Sequence, residues 1–150
     1  MSGPFLIHAT TVALDGSGIL LRGPPGSGKS DLALRLIDDG AALVADDQTL
    51  LWRAGERVVA GAPATIAGLL EIRGIGILRL EAVAEAPLLL IADLVLASDV
   101  ERLPERRFET LLGCSLPVVG LAPFEPSTPA KLRFLRRALA AGAPPDIIGV

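Results

Sequence analysis

The residues with the clearest chemistry are Gly23-Pro24-Pro25-Gly26-Ser27-Gly28-Lys29-Ser30. They fit G-x-x-x-x-G-K-[ST], the loop that cradles phosphates in P-loop nucleotide-binding proteins. Gly26 and Gly28 let the backbone turn tightly and bring its N–H groups to phosphate oxygens without a Cβ in the way. Lys29 adds a point charge for the terminal phosphates, and the Ser30 hydroxyl is the expected Mg²⁺ ligand. A helix starting here points its positive dipole end at the same anion.

Further charged residues stand in apolar surroundings. Asp46 and Asp47 follow the apolar run Ala41-Ala42-Leu43-Val44-Ala45. A carboxylate just past such a strand holds Mg²⁺ or its water, or serves as the base in phosphoryl transfer. Neighbours on a strand point to opposite faces, so the two are expected to differ in role; a charged turn is the plainer alternative. Glu71 and Arg73 lie within Leu70-Glu71-Ile72-Arg73-Gly74-Ile75-Gly76-Ile77-Leu78. Charges placed this way are costly to bury unless they serve a ligand, a metal or each other as an internal ion pair. His8 is the only histidine, and on a strand it either packs or acts in a site.

The elements that would carry these groups alternate between strand and helix. Residues 5–14 have the spacing of a strand, with Leu6, His8, Thr10 and Val12 on one face; a turn at 15–18 joins it as a hairpin to the apolar strand before the glycine-rich loop. A helix over 31–37, stopped at Gly40, follows the loop, then a short strand over 41–45. Residues 48–53 and 57–60 form a hairpin in which Trp52 is expected to pack, and Pro63 opens a short helix. Residues 88–96 form a central strand, 98–108 a charged connection, and 116–121 a strand whose Pro117 puts it at an edge or gives it a late start. Ser127-Thr128-Pro129 begins a last helix running to about Ala141 and ending at Gly142, with Leu132, Leu135 and Leu139 as its apolar stripe. Its Lys131, Arg133, Arg136 and Arg137 form either a solvated face or a docking face for an acidic partner. The expected fold is α/β: a P-loop domain with a mixed, hairpin-rich β-sheet packed by helices, one domain over 1–150 with a loose tail at 143–150.

Composition narrows the class. The chain has 150 residues, 51% hydrophobic and 21% charged, the values of a globular domain. A net charge of −3 offers no general attraction for nucleic acid or an anionic membrane. The single Cys114 excludes an internal disulfide framework and a cysteine zinc site, is expected to pack, and fits a reducing cytoplasm. The start Met1-Ser2-Gly3-Pro4 lacks the regions of a signal peptide, and the apolar segment 87–97 is too short to span a bilayer and carries Asp93.

Together His8 and its hairpin, the glycine-rich loop, Ala45-Asp46-Asp47 and the 70–77 stretch resemble the catalytic domain of HPr kinase/phosphorylase, in a short single-domain form. The resemblance covers the first half of the chain. It implies a cytoplasmic kinase that uses ATP and Mg²⁺ to phosphorylate a serine of the phosphocarrier HPr. Lys29 and the loop backbone then hold the ATP phosphates, Ser30 and Glu71 ligate Mg²⁺, and one aspartate takes the serine proton, Asp47 ahead of Asp46. His8 joins the active site, and Arg102 aligns with an arginine that balances charge on the transferring group. A homo-oligomer is left open. After Leu121 the family's loop carries an arginine used in the reverse, phosphate-driven reaction. This chain instead has Ala122-Pro123-Phe124-Glu125-Pro126-Ser127, so the reverse activity is expected to be weak or missing. Two other readings start from the same loop: a small-molecule or nucleotide kinase, and a non-catalytic ATP-binding regulator.

Overall fold

The structure is a computed structural model that describes residues 3–141. Its strands are β1 (Phe5–Ile7), β2 (Ala9–Leu14), β3 (Ser17–Arg22), β4 (Ala42–Ala45), β5 (Thr49–Ala54), β6 (Arg57–Gly61), β7 (Leu69–Ile72), β8 (Gly76–Arg79), β9 (Glu85–Leu94), β10 (Arg107–Leu111) and β11 (Cys114–Leu121). The helices are α1 (Lys29–Asp38) and α2 (Thr128–Ala140).

Nine strands form one mixed sheet in the order β1-β5-β6-β9-β3-β2-β4, with β11 added beside β9 and β10 beside β11. The parallel neighbours are β3 with β9 and β9 with β11. β9 is the axis: its first residues pair with β6, its middle with β3 and its end with β11. A near-continuous apolar sequence suits it, because it is covered on both faces. On one face α1 and α2 press Leu32, Leu36 and Leu132 onto Val12, Ile19, Leu21, Leu90 and Leu121. On the other the sheet curls over itself, bringing Leu51 and Val58 against Leu20, Ile91 and Leu116. β7 and β8 form a separate two-stranded hairpin.

Helix α1 buries Leu32, Ala33 and Leu36, the stripe expected of a helix lying on a sheet. It ends in a Schellman motif. Gly40, at φ 107°, donates its N–H to Ile37 O at 3.0 Å, and Ala41 donates to Leu36 O at 3.0 Å.

Four expectations need correction. The strand over 5–14 is broken at His8, because β1 pairs with β5 while β2 pairs with β3 and β4. The helix after Pro63 is a single 3₁₀ turn, Ala64–Ile66, ended by Gly68 at φ 76° before the chain enters β7. Of the two alternatives for β11, the edge position falls and the late start holds on one side: β10 pairs with it from Cys114 onward, while pairing to β9 starts at Val118, just after Pro117, where the missing N–H is no longer needed. Ser127 occupies the cap position of α2 without a side-chain cap bond; Thr128 Oγ1 instead donates to Ala122 O. Trp52 packs as expected, its ring filling the space where a Cβ on Gly61 would stand 2.8 Å away. Arg133 and Arg136 of α2 turn to the body's own Asp39 and Asp15, at 2.8 and 3.7 Å. Gly142 and the expected tail at 143–150 lie outside the described residues.

Candidate active site

Four strands, β4, β3, β9 and β11, run the same way and end at one edge of the sheet. The registers Thr11↔Ala45, Ala9↔Arg22, Arg22↔Asp93 and Leu121↔Leu94 fix this. Ligands of open α/β sheets sit outside such carboxyl ends. Here the edge bears the glycine-rich loop after β3, Asp46 and Asp47 after β4, the charged connection after β9, and the segment 122–127 after β11.

The loop turns at Gly26 and Gly28, at φ 79° and 103°, which side chains rarely adopt. A Cβ on Gly23 would stand 2.4 Å from Ser27 Oγ, so the coil has no room for one. Ser27 N–H donates to Pro24 O at 3.0 Å. Lys29 is buried, its Nζ donating to Gly23 O at 2.6 Å and Pro24 O at 3.1 Å. Ser27 Oγ is buried with no hydrogen-bond partner among the described residues, and α1 has no side-chain cap at Gly28. A lysine, a partnerless hydroxyl and an uncapped helix start around a glycine cradle fit a phosphate group.

The two aspartates differ in situation. Asp46 is buried, and its carboxylate accepts three donors: Ser30 Oγ at 2.6 Å, Thr10 Oγ1 at 3.1 Å and the Glu71 N–H at 3.1 Å. It ties the first turn of α1 to β2 and to β7. Asp47 is exposed, at φ 63°, with its N–H donating to Thr10 Oγ1 at 3.0 Å. Its side chain lines a cleft of about 360 Å³ shared with Gly28, Lys29, Ser30, Glu71 and Phe124.

Glu71 is exposed on β7 and Arg73 on the turn after it; both line the cleft, and among the described residues no ion pair joins them. His8 is exposed at its bend. The antiparallel registers that pair Ala9 with Arg22 and Ile7 with Thr49 bring it level with Gly23 and Gln48, between the loop and the aspartate turn. Arg102 stands on the exposed connection after β9 and is not among the residues lining the cleft. Among the described residues no group of three or more His, Cys, Asp or Glu could hold a metal ion, while Ser30 and Glu71 line the same cleft.

Three contributors escaped the sequence reading. Thr10 binds both members of the aspartate pair; its signal was a threonine on the strand beside β3. Arg35 of α1 donates to Pro123 O and, at 3.4 Å, to Glu125 O, holding the segment after β11 over the loop. Phe124 lies there against Gly28. Nothing in local sequence announced the last two, since the contact joins residues 28 and 124.

Arg22, the last residue of β3, fixes the root of the loop. Its guanidinium forks onto Asp93 at 2.7 and 3.1 Å and onto Glu109 at 2.7 and 2.9 Å. These bonds raise the Arg22 pKa and hold the Glu109 carboxyl below the usual carboxylate range.

The chain is similar to known proteins of one family. Residues 1–86 match the family model described as HPr Serine kinase C-terminal domain. The HPr kinase/phosphorylase of Leptothrix cholodnii is 40% identical over 128 residues, covering 77% of this chain and 39% of that protein. The one from Caldicellulosiruptor bescii is 47% identical over 72 residues, 47% of this chain and 23% of the relative. The chain thus spans between about a quarter and two fifths of the length of these curated relatives. A solved structure titled as the Hpr(Ser) kinase/phosphatase from Coxiella burnetii superposes with a TM-score of 0.78 at 28% identity, over 89% of this chain and 88% of that one.

Proposed function

The chain belongs to the HPr serine kinase C-terminal domain family, and on that premise we propose that it is an ATP- and Mg²⁺-dependent serine kinase acting on an HPr-like phosphocarrier protein. The observation that carries the reading is the division of labour at the aspartate pair. Asp46 is committed to three donors, whereas the Asp47 carboxylate has no partner among the described residues and Asp47 lines the cleft with Lys29, Ser30 and Glu71.

ATP with Mg²⁺ supplies the phosphoryl group and neutralises its charge. The chain's own residues do the rest. The loop N–H groups, the Ser27 hydroxyl and Lys29 bind the phosphates, Lys29 exchanging its two carbonyl partners for phosphate oxygens. Ser30 and Glu71 serve as metal ligands, and Asp46 orients Ser30. Asp47 accepts the proton of the substrate serine, the role of a carboxylate within reach of the attacking hydroxyl. His8 is a second polar contact on the substrate side. Arg102 balances charge on the transferring group only if its connection folds in when substrate binds.

The absence of arginine from residues 122–127 supports a kinase with little or no reverse, phosphate-driven activity. If inorganic phosphate released pyrophosphate from phospho-HPr in the presence of the protein, that part of the proposal would fail. The main test is incubation with labelled ATP and Mg²⁺, with and without an HPr-type protein. Label on a carrier serine supports the kinase; label on nucleotides alone, or ATP binding without transfer, rejects it. No helix among the described residues is long and apolar enough to cross a membrane, and a cytoplasmic site of action follows from the proposed partner.

A further inference from the structure

The strand order β4-β2-β3-β9-β11 puts the glycine-rich loop midway between two other strand ends. Asp46 and Asp47 follow β4, two strands to one side of β3; residues 122–127 follow β11, two strands to the other. At the usual strand spacing the ends of β4 and β11 each stand about 10 Å from the end of β3, and both following segments reach back to the loop, Asp46 to Ser30 and Phe124 to Gly28. A nucleoside triphosphate gripped at its phosphates has its reacting end and its base at opposite ends. With the reacting phosphate toward Asp47, the base points to the β11 side.

What waits there is an aromatic ring. Phe124 is 65% exposed, yet it is placed rather than loose. A Cβ on Gly28 would meet its Cζ at 2.8 Å and its Cε1 at 3.1 Å. Its segment is held from both sides: Arg35 donates to Pro123 O and Glu125 O, and Thr128 Oγ1 donates to Ala122 O. Leu34 lines the same cleft, so Phe124 and Leu34 give it apolar surface. Resting on the proposed nucleotide binding, we propose that Phe124 is the platform on which the nucleobase stacks, making 122–127 the base-binding segment of the site.

An aromatic platform of this kind recognises the π-face that every base has, and its loss typically weakens binding about 5- to 100-fold. Wild type, Phe124→Ala and Phe124→Trp should be titrated calorimetrically with Mg²⁺ and either a non-hydrolysable ATP analogue or inorganic tripolyphosphate. Phe124→Ala should weaken the analogue by about 10-fold and leave tripolyphosphate within about twofold. Phe124→Trp should restore the analogue's affinity, and its emission, measured against wild type to subtract Trp52, should change with the analogue but not with tripolyphosphate. Equal loss for both ligands, or for neither, overturns the platform while leaving the kinase reading standing. A wild type that binds neither ligand overturns the nucleotide reading itself. Because Phe124 is exposed, the variants should fold, and unchanged thermal melting confirms it.

Discussion

The two walls beside the glycine-rich loop are built in different ways. The wall after β4 is a closed polar network: Asp46 takes donors from Ser30, Thr10 and the Glu71 backbone, and Thr10 in turn receives the Asp47 N–H. The wall after β11 is held by its backbone carbonyls, Ala122, Pro123 and Glu125, and presents one aromatic side chain. Residues 1–86, which match the family model, include the first wall and not the second. This network fixes the Asp46 carboxylate and the Asp47 backbone, which leaves the Asp47 carboxylate to face the cleft from a held position. A loop held by its carbonyls leaves its side chain free for a ligand. On the proposed reading, chemistry falls to one wall and recognition to the other.

The comparison predicts its largest effect at Asp47. Asp47→Asn should lower phosphoryl transfer to the carrier by about 10²- to 10⁴-fold while nucleotide affinity and melting temperature barely change. Residual activity near wild type would shift the base to Asp46 or His8. Asp46→Ala should behave in the opposite way with respect to folding. It strands the buried Thr10 hydroxyl together with the half-buried Ser30 hydroxyl and the Glu71 N–H, at a cost of about 3 kcal/mol, which for a chain of this size lowers the melting temperature by roughly 6–12 °C. Equal melting of the two variants would show that the pair is not divided as its hydrogen bonds indicate.

On the other wall, after Phe124→Ala itself, the next change is Arg35→Ala. It releases Pro123 and Glu125 and with them the placement of Phe124. Affinity for the ATP analogue should fall a few-fold, with tripolyphosphate and the transfer rate at saturating ATP nearly unaffected. A proportionate loss of transfer at saturation would mean that this wall also shapes the chemistry.

The same contrast explains what could be read in the sequence. The first wall is carried by short stretches whose pattern is local: glycines and a lysine after an apolar strand, two aspartates after another, Glu71 within an apolar run. Hairpin β5–β6, helix α1 with its stop at Gly40, and β9 as a central strand were legible for the same reason, since their periodicity and turn residues lie close in sequence. The second wall depends on Arg35 reaching Pro123 and on Phe124 meeting Gly28, contacts made only after β11 has paired with β9. The break at His8 and the inner position of β11 were hidden similarly, because each follows from a change of strand partner. The resemblance ranked Asp47 ahead of Asp46 as the base, but the bonds that distinguish their surroundings were not legible. Thr10, which binds the Asp46 carboxylate and the Asp47 N–H, lies thirty-six residues away from Asp46.

The smallest expected effect tests how firmly the second wall is tied to the root of the loop. Glu109 of β10 reaches Arg22, the residue before Gly23, with two hydrogen bonds. Those bonds hold the folded Glu109 pKa below its unfolded value. Between the two pKa values the unfolded chain binds the extra proton, so stability rises with pH there. The contribution is complete above the unfolded carboxylate value, about 4.3, and fades as pH falls through the lower folded value. Glu109 is 40% exposed, so solvent screening limits the pair to about 1 kcal/mol or less, a shift of roughly 2–4 °C. Melting curves of wild type and Glu109→Gln should therefore differ by a few degrees at pH 6.5 and converge towards pH 3, with other carboxylates cancelling in the difference. Arg22 keeps its fork on Asp93 in the variant, so the loop should hold its shape and tripolyphosphate affinity at pH 6.5 should stay within about twofold, the remaining charged hydrogen bonds being the stronger kind. A gap between the two proteins that does not depend on pH would mean that Glu109 contributes by packing, and that β10 is not tied to the loop through charge.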